Sequence, residues 1–424
     1  MSNIMCILLF LNWFILSGFL ALTLTYKSYR VFFGSFSFLS FSIALSSLSN
    51  DYELNATTVA LIYCGLMSVT VGAVLTHMVL PKSAVNISGK KAKFQGAIKW
   101  YLIVSTFSLV CLAFFFILFK KNGTIPIFSM LIDQVSPKEL KEIRAASYKT
   151  NSGLITFPMS ILRSSVAPII VVVATHFISH GKYRITSYSA ILISLLYSTY
   201  STAIFPTAYL ILIIALYFIF QFRLRLYSII TCLSAAFITL NVPVLFDYFG
   251  QVGNTDSIPY SVLFIDSISR HVGRFVYDQA KLIESYTVFV ESFGFGGGAY
   301  HAPTSFFIGK REDVANLVFL FNDPNGYYLG KASVPFMGGA YADGVFLAVI
   351  FTGVNIGALL IFGELIIRRY TLSPLRDALT IAYAGQGWLM PSALFGTGII
   401  SKGWLPSIII CIFISKILVK ESKD

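Results

Sequence analysis

The sequence predicts an all-α, polytopic integral membrane protein of about eleven transmembrane helices, with two extramembrane loops that contain amphipathic helices. Three observations predict it. Of the 424 residues, 56% are hydrophobic and only 12% are charged, whereas soluble domains carry about 25% charged residues. Window after window supplies the roughly 20 apolar residues that cross a hydrocarbon core of about 30 Å. The basic residues are also sorted, gathering in short linkers that alternate along the chain.

The spans fall at 4–26, 31–48, 57–80, 100–119, 155–179, 188–203, 206–222, 227–246, 341–364, 377–395 and 403–419. The hairpins 188–222 and 377–419 read either as full spans or as re-entrant pairs. The first stretch lacks a basic leading region and a small-residue cleavage site, so it reads as a retained span.

The side of the membrane follows from charge. More than half of the 31 Lys and Arg lie in the linkers 27–30, 81–99, 180–187, 223–226 and 365–376 and in the tail, with only Glu364, Asp377, Glu421 and Asp424 near them. By the positive-inside bias that face is cytoplasmic. The polar excursions at 120–154 and 247–340 then lie together on the outer side of one transmembrane domain, 1–424. The net charge of +12 is therefore a topology signal, and nucleic acid is not the partner it implies.

Cys6, Cys64, Cys111, Cys232 and Cys411 all fall inside apolar spans without C-x-x-C spacing, which points to packing. No internal repeat appears. An inverted-repeat transporter would show paired broken helices in matching halves, and the lopsided extramembrane mass argues against that class.

Within 260–293 apolar residues recur at Ile265, Ile268, Val272, Phe275, Val276, Leu282, Ile283, Tyr286, Phe289, Val290 and Phe293, opposite Asp266, Arg270, Arg274, Asp278 and Lys281. That three-to-four spacing predicts one or two amphipathic helices on the bundle or in the headgroup plane. A Gly-rich turn follows at Gly294 to Pro303, then a short helix near 311–321.

Several side chains suit chemistry. Arg163 lies eight residues into an apolar span, where an arginine costs at least about 2.5–3.5 kcal/mol; it faces a cavity or partner, or it snorkels to the outer headgroups. Arg270 and Arg274 are one helical turn apart and share a face. Two guanidinium groups so placed can grip a pyrophosphate through bidentate bonds without a metal; a solvated face with Asp266 and Asp278 as partners is the other reading. Arg144, in the smaller outer loop, is a further anion-binding candidate.

His271 and His301 lie on the outer side with these arginines. A group titrating near 6.5 can take a proton from a hydroxyl, and a surface histidine is the alternative for each. His77, His176 and His180 fall at inner ends of spans and read as interface packing; no metal site emerges. Tyr341, Asp343 and Gly344 open the ninth span at the outer surface, where Asp343 serves as a base, orients one, or caps the helix. Two motifs mislead. GYYLGKAS has three residues between its glycines where a phosphate loop has four, and the Asp51–Glu53 acidic pair sits in a very short outer turn.

In this layout the chain resembles the Wzy-type O-antigen (oligosaccharide repeat-unit) polymerases over nearly its full length. The likeness is carried by a first outer loop opening with GTIPIF and containing Arg144, an arginine embedded in a span at Arg163, a larger loop with the Arg270–Arg274 pair, and the AYADGVFLAVIFTG segment. In YSTYSTAIFPTAYL, where relatives often carry a Ser-Arg pair, no arginine stands. The resemblance implies a GT-C-like helical fold in the bacterial inner membrane with its active side in the periplasm. It implies a metal-independent, cofactor-free glycosyltransferase that moves the growing glycan from undecaprenyl pyrophosphate onto a hydroxyl of the next lipid-linked repeat unit. Its partners would be that lipid-linked oligosaccharide, membrane lipid and a chain-length regulator. Arg144, Arg163, Arg270 and Arg274 would hold pyrophosphate, a leaving group that needs cations. His271, His301 or Asp343 would address the acceptor hydroxyl. An O-antigen ligase transferring glycan to lipid A-core is the nearest alternative, and a lipid-linked oligosaccharide flippase is the alternative from another class.

Overall fold

The structure, a computed structural model, describes residues 3–46, 54–80, 92–131, 143, 153–200, 204–222, 230, 259, 261–262, 265, 278–297, 314–322, 335–393, 398–399 and 403–421. In chain order the first helices are α1 (Asn3–Thr23), α2 (Lys27–Ser46) and α3 (Ala56–Val79), followed by strand β1 (Ala92–Phe94), α4 (Ala97–Asn122) and α5 (Pro126–Leu131). Next come α6 (Gly153–Ile161), a π-helical turn (Leu162–Val166), α7 (Ala167–Ser179), α8 (Arg184–Thr199) and α9 (Ile204–Phe222). The remainder is α10 (Asp278–Phe293), α11 (Val314–Asn322), α12 (Phe336–Tyr370), α13 (Arg376–Ala384), α14 (Gln386–Leu389), α15 (Trp404–Leu418) and β2 (Val419–Glu421).

Among the described residues, five helical stretches are long and apolar enough to cross a membrane: Met5–Thr23, Ala56–Val79, Ala97–Lys120, Phe157–Ser179 and Phe336–Tyr370. Pro206–Gln221 and Trp404–Leu418 are shorter apolar helices. The stretch expected at 227–246 lies almost wholly outside the described residues. Over 377–395 the chain forms α13 and α14, nine and four residues long, rather than one span. At about 1.5 Å per residue neither covers the hydrocarbon core.

Contacts divide the chain into two compact units. The first comprises Met1–Ile87, Val272–Arg369 and Ala384–Leu405; the second comprises Ser88–His271, Tyr370–Tyr383 and Pro406–Asp424.

The first unit is held by glycine. A Cβ on Gly72 would strike the Val354 carbonyl, and one on Gly357 would strike the Val69 carbonyl. The backbones of α3 and α12 therefore touch, as small residues permit in membranes. Polar groups in this core pair with one another: Trp13 Nε1 and Tyr29 Oη both donate to Thr70 Oγ1 at 3.3 Å, and Ser17 bonds Tyr29 at 2.8 Å. At one end of the unit Tyr26 meets His77 at 3.2 Å, and the buried Glu364 accepts from the Lys27 and Ser28 amides at 3.0 and 2.8 Å. At the other end α10 docks on α3. Its buried stripe is Ala280, Ile283, Tyr286, Thr287, Phe289 and Val290, of which Ile283, Tyr286, Phe289 and Val290 belong to the predicted amphipathic face.

The second unit is centred on α7, buried from Ala167 to Phe177 and packed by α8 and α9. Next to it α4 runs along α8, with Trp100 Nε1 donating to Ser187 Oγ at 3.2 Å. β1 and β2 form an antiparallel ribbon in which Lys93 faces Lys420 and Phe94 faces Val419. His176 is buried beneath Phe94 and bonds Tyr217 at 3.2 Å, while the His180 ring lies 4.2 Å from it. His176 is a packing element, while His180 is exposed and bonds Ser179. Cys6, Cys111 and Cys411 are buried and Cys64 half-buried, all as free thiols; Cys232 lies outside the described residues.

Candidate functional site

Two irregular backbone features hold the sequence candidates that fall among the described residues. The first is in α12. Its 35 residues are interrupted at Gly344 and Val345, and Val345 has φ 55° and ψ −149°. A β-branched residue at positive φ is a true outlier, costing on the order of 1–3 kcal/mol. Such strain persists only where the surroundings fix it, and it concentrates at working sites.

Asp343 is the last residue of the short first segment, buried at 5% exposure. It is not the N-cap of the longer second segment, because both Gly344 and Val345 intervene outside helical geometry. Tyr341 is buried as well and stacks edge-on against Phe346 across the break, with ring centroids 5.6 Å apart. Residues two apart on a helix project in different directions, so Tyr341 and Asp343 cannot both address one reacting atom from this segment.

Neighbouring elements of the first unit clamp the segment. The Gly296 amide, from the Gly-rich turn after α10, donates to the Ala342 carbonyl at 2.8 Å. The Phe336 amide donates to the Pro391 carbonyl at 2.9 Å, and Met337 fills the space beside Gly65. Glu291 of α10 acts electrostatically on the Tyr341 phenol. The same helix is pinned at Asn55, whose amide donates to Glu284 at 2.9 Å, and Thr287 bonds Thr58 at 3.1 Å. The Glu284 carboxylate thus sits at the N-terminus of α3, where the helix dipole favours negative charge.

The second feature lies in the second unit. Arg163 belongs to the π-helical turn between α6 and α7, where the Ala167 amide reaches back five residues to the Leu162 carbonyl. Pro168 explains the turn, since it has no N–H for the carbonyl four residues earlier, and an unbroken α-ladder cannot run through it. Single π turns inside helices recur at functional sites. Arg163 is half-buried. One turn earlier the Met159 carbonyl accepts a long bond of 3.4 Å from the Tyr197 hydroxyl of α8. Tyr197, Tyr200 and Phe115 form an aromatic cluster there.

The other sequence candidates, Arg144, Asp266, Arg270, His271, Arg274 and His301, lie outside the described residues. Two devices are missed by sequence reasoning. The π turn is signalled only by Pro158 and Pro168 flanking Arg163, and the strained break only by Gly344 in the middle of an apolar run. Among the described residues no three His, Cys, Asp or Glu side chains gather as a cation site. No protein-family model, curated protein or solved structure matches this chain.

Proposed function

We infer that this chain is a membrane glycosyltransferase, an O-antigen polymerase that transfers a growing glycan from undecaprenyl pyrophosphate to a hydroxyl of the next lipid-linked repeat unit. One observation carries the reading: a buried carboxylate, Asp343, ends a helical segment at a strained interruption of the longest apolar helix among the described residues, next to Ala342, which the turn after an amphipathic helix holds. Broken helices at membrane depth are tolerated where they line a cavity, and intramembrane ionisable groups mark substrate paths. Arg163 on its π turn supports the same reading, since ionisable residues at membrane depth mark substrate paths and a guanidinium suits a pyrophosphate leaving group.

In this proposal α10 and the loops 120–154 and 247–340 are periplasmic, and about eleven spans alternate by the positive-inside bias. Within the first unit, Asn55, α10, Gly296 and the start of α12 meet at one end, while Tyr26, His77 and Glu364 meet at the other, which is the grouping that alternation requires. Arg144, Arg163, Arg270 and Arg274 would hold the pyrophosphate. Asp343 would take the acceptor proton or orient His271 or His301, with Tyr341 shaping the break.

The test is lipopolysaccharide from a deletion strain run on a gel. Core carrying a single repeat, with the long ladder gone, is the expected result. Polymer left on carrier lipid with bare core would replace this reading with a ligase. Repeat units trapped inside the cell would replace it with a flippase.

A further inference from the structure

We propose that the second unit binds an anionic phospholipid at its basic end, with the phosphodiester held by Lys99, Lys182 and Arg184 and the acyl chains lying along α4 and α8. This site is independent of the transfer chemistry proposed above.

One ring gathers the charges. Phe177, buried near the end of α7, is stacked by Phe94, Trp100 and Tyr183 at centroid distances of 5.2, 5.1 and 5.0 Å. Each of those rings is next in sequence to a basic residue: Lys93 precedes Phe94, Lys99 precedes Trp100, and Lys182 and Arg184 flank Tyr183. Packing three aromatic rings on one hub therefore brings three basic segments to one end of this unit. Lys182 is positioned further, its ammonium lying 4.7 Å from the centre of the Phe94 ring. Lys99 is steered by a bond to Gln95 Oε1, and Arg184 folds back beside Gly181.

The charge is one-sided. Neither α4 nor α8 has an acidic residue in its first turn. Of the described carboxylates at this end, Asp377 acts on His176 and Tyr217, and Glu421 lies opposite Ala92 on the ribbon.

Beside and beyond the cations the walls of α4 and α8 are apolar and bare. Ile98 and Ile185 are 76% and 85% exposed, and Tyr101, Leu102, Tyr188 and Leu192 are exposed as well. In a membrane protein such walls meet acyl chains. The seam between α4 and α8, closed by the Trp100–Ser187 bond, runs from those walls up to the cations. Basic pockets between helices on the inner face are where acidic headgroups bind, and the side chains here fit a phosphodiester rather than a zwitterion.

The test is native mass spectrometry of the full-length protein in detergent, titrated with dioleoyl phosphatidylglycerol or dioleoyl phosphatidylcholine. The expected result is retention of phosphatidylglycerol at least about tenfold tighter than phosphatidylcholine. That preference should be lost in Lys99→Gln/Lys182→Gln/Arg184→Gln and kept in Lys281→Gln, an exposed charge of the first unit. Dihexanoyl phosphatidylglycerol, which keeps the headgroup but lacks long chains, should bind more weakly. Equal retention of the two dioleoyl lipids would overturn the proposal. So would an unchanged preference in the folded triple variant, or displacement of the lipid by millimolar inorganic phosphate, which would make this a site for soluble anions. Should the triple variant not fold, Lys182→Gln alone should reduce the preference, and no reduction would overturn the proposal.

Discussion

Glu364 closes the N-terminus of α2 by accepting from Ser28 twice, from its amide at 2.8 Å and its hydroxyl at 2.7 Å. The carboxylate has no exposure, and its other oxygen takes the Lys27 amide and an ion pair with Arg368. Helix ends leave amides that need acceptors, and α2 finds its acceptor on another helix. Arg368 also donates to the Thr25 carbonyl at 2.8 Å and lies over the Tyr26 ring. Removing Glu364 strands two helix amides and takes from Arg368 its carboxylate. Glu364→Ala should therefore lower stability by about 3 kcal/mol or more, and Glu364→Gln by less, as read from thermal unfolding in detergent. Equal melting of Glu364→Ala and the native protein would show that water replaces the carboxylate at no cost.

Arg163 should tolerate no substitute. Arg163→Ala, and Arg163→Lys with its charge intact, should both abolish the long ladder while the protein inserts at normal levels, because a guanidinium grips a diphosphate bidentately and an ammonium does not. Arg270→Ala should do the same. A normal ladder in both alanine variants would remove the pyrophosphate role.

Val345 and Asp343 separate strain from chemistry. Val345→Gly accepts φ 55° without a Cβ and should raise stability by about 1 kcal/mol, whereas Val345→Pro, which cannot adopt that angle, should abolish folding. Asp343→Asn should keep the fold and lose the ladder. Full polymer from Asp343→Asn would remove this carboxylate from the reaction.

The contact between α3 and α12 leaves no room for a side chain. Gly357→Leu should empty the membrane of folded protein, since its Cβ would enter the Val69 carbonyl and overpacking of that kind exceeds about 3 kcal/mol. Gly34, on α2, meets nothing within 4 Å. Gly34→Ala should stabilise by about 0.5–1 kcal/mol. Detergent-extractable yield and melting temperature check both.

What was legible in the sequence is what periodicity encodes. The stripe Ile283, Tyr286, Phe289 and Val290 is buried as its spacing predicts, because a helix with one packed face writes that face at every third or fourth residue. The stripe fails at Phe293, which is 68% exposed, where Gly294 at φ 79° turns the chain away. The short helix expected near 311–321 is α11. Over 377–395 the apolar stretch is helical in two pieces, α13 and α14, and Ala378 to Ala384 are buried in protein, a division that an apolar score does not register. Arg163 stands out in the sequence as a costly charge in an apolar run, and Tyr341 and Asp343 as polar residues at the start of one. The π turn and the strained valine do not, since both arise from how neighbouring segments constrain the backbone rather than from local composition.

The interleaving of the two units sets an order on their assembly. The first unit begins with Met1–Ile87, pauses while Ser88–His271 of its companion is made, and is completed only by Ala384–Leu405. Its opening helices must therefore wait in the bilayer, with the α2 terminus lacking its distant carboxylate, for most of translation. A ribosome that stops anywhere before residue 384 leaves both bodies unfinished at once, so partial products should be recognised and destroyed as a class, and no working fragment can be released from either half.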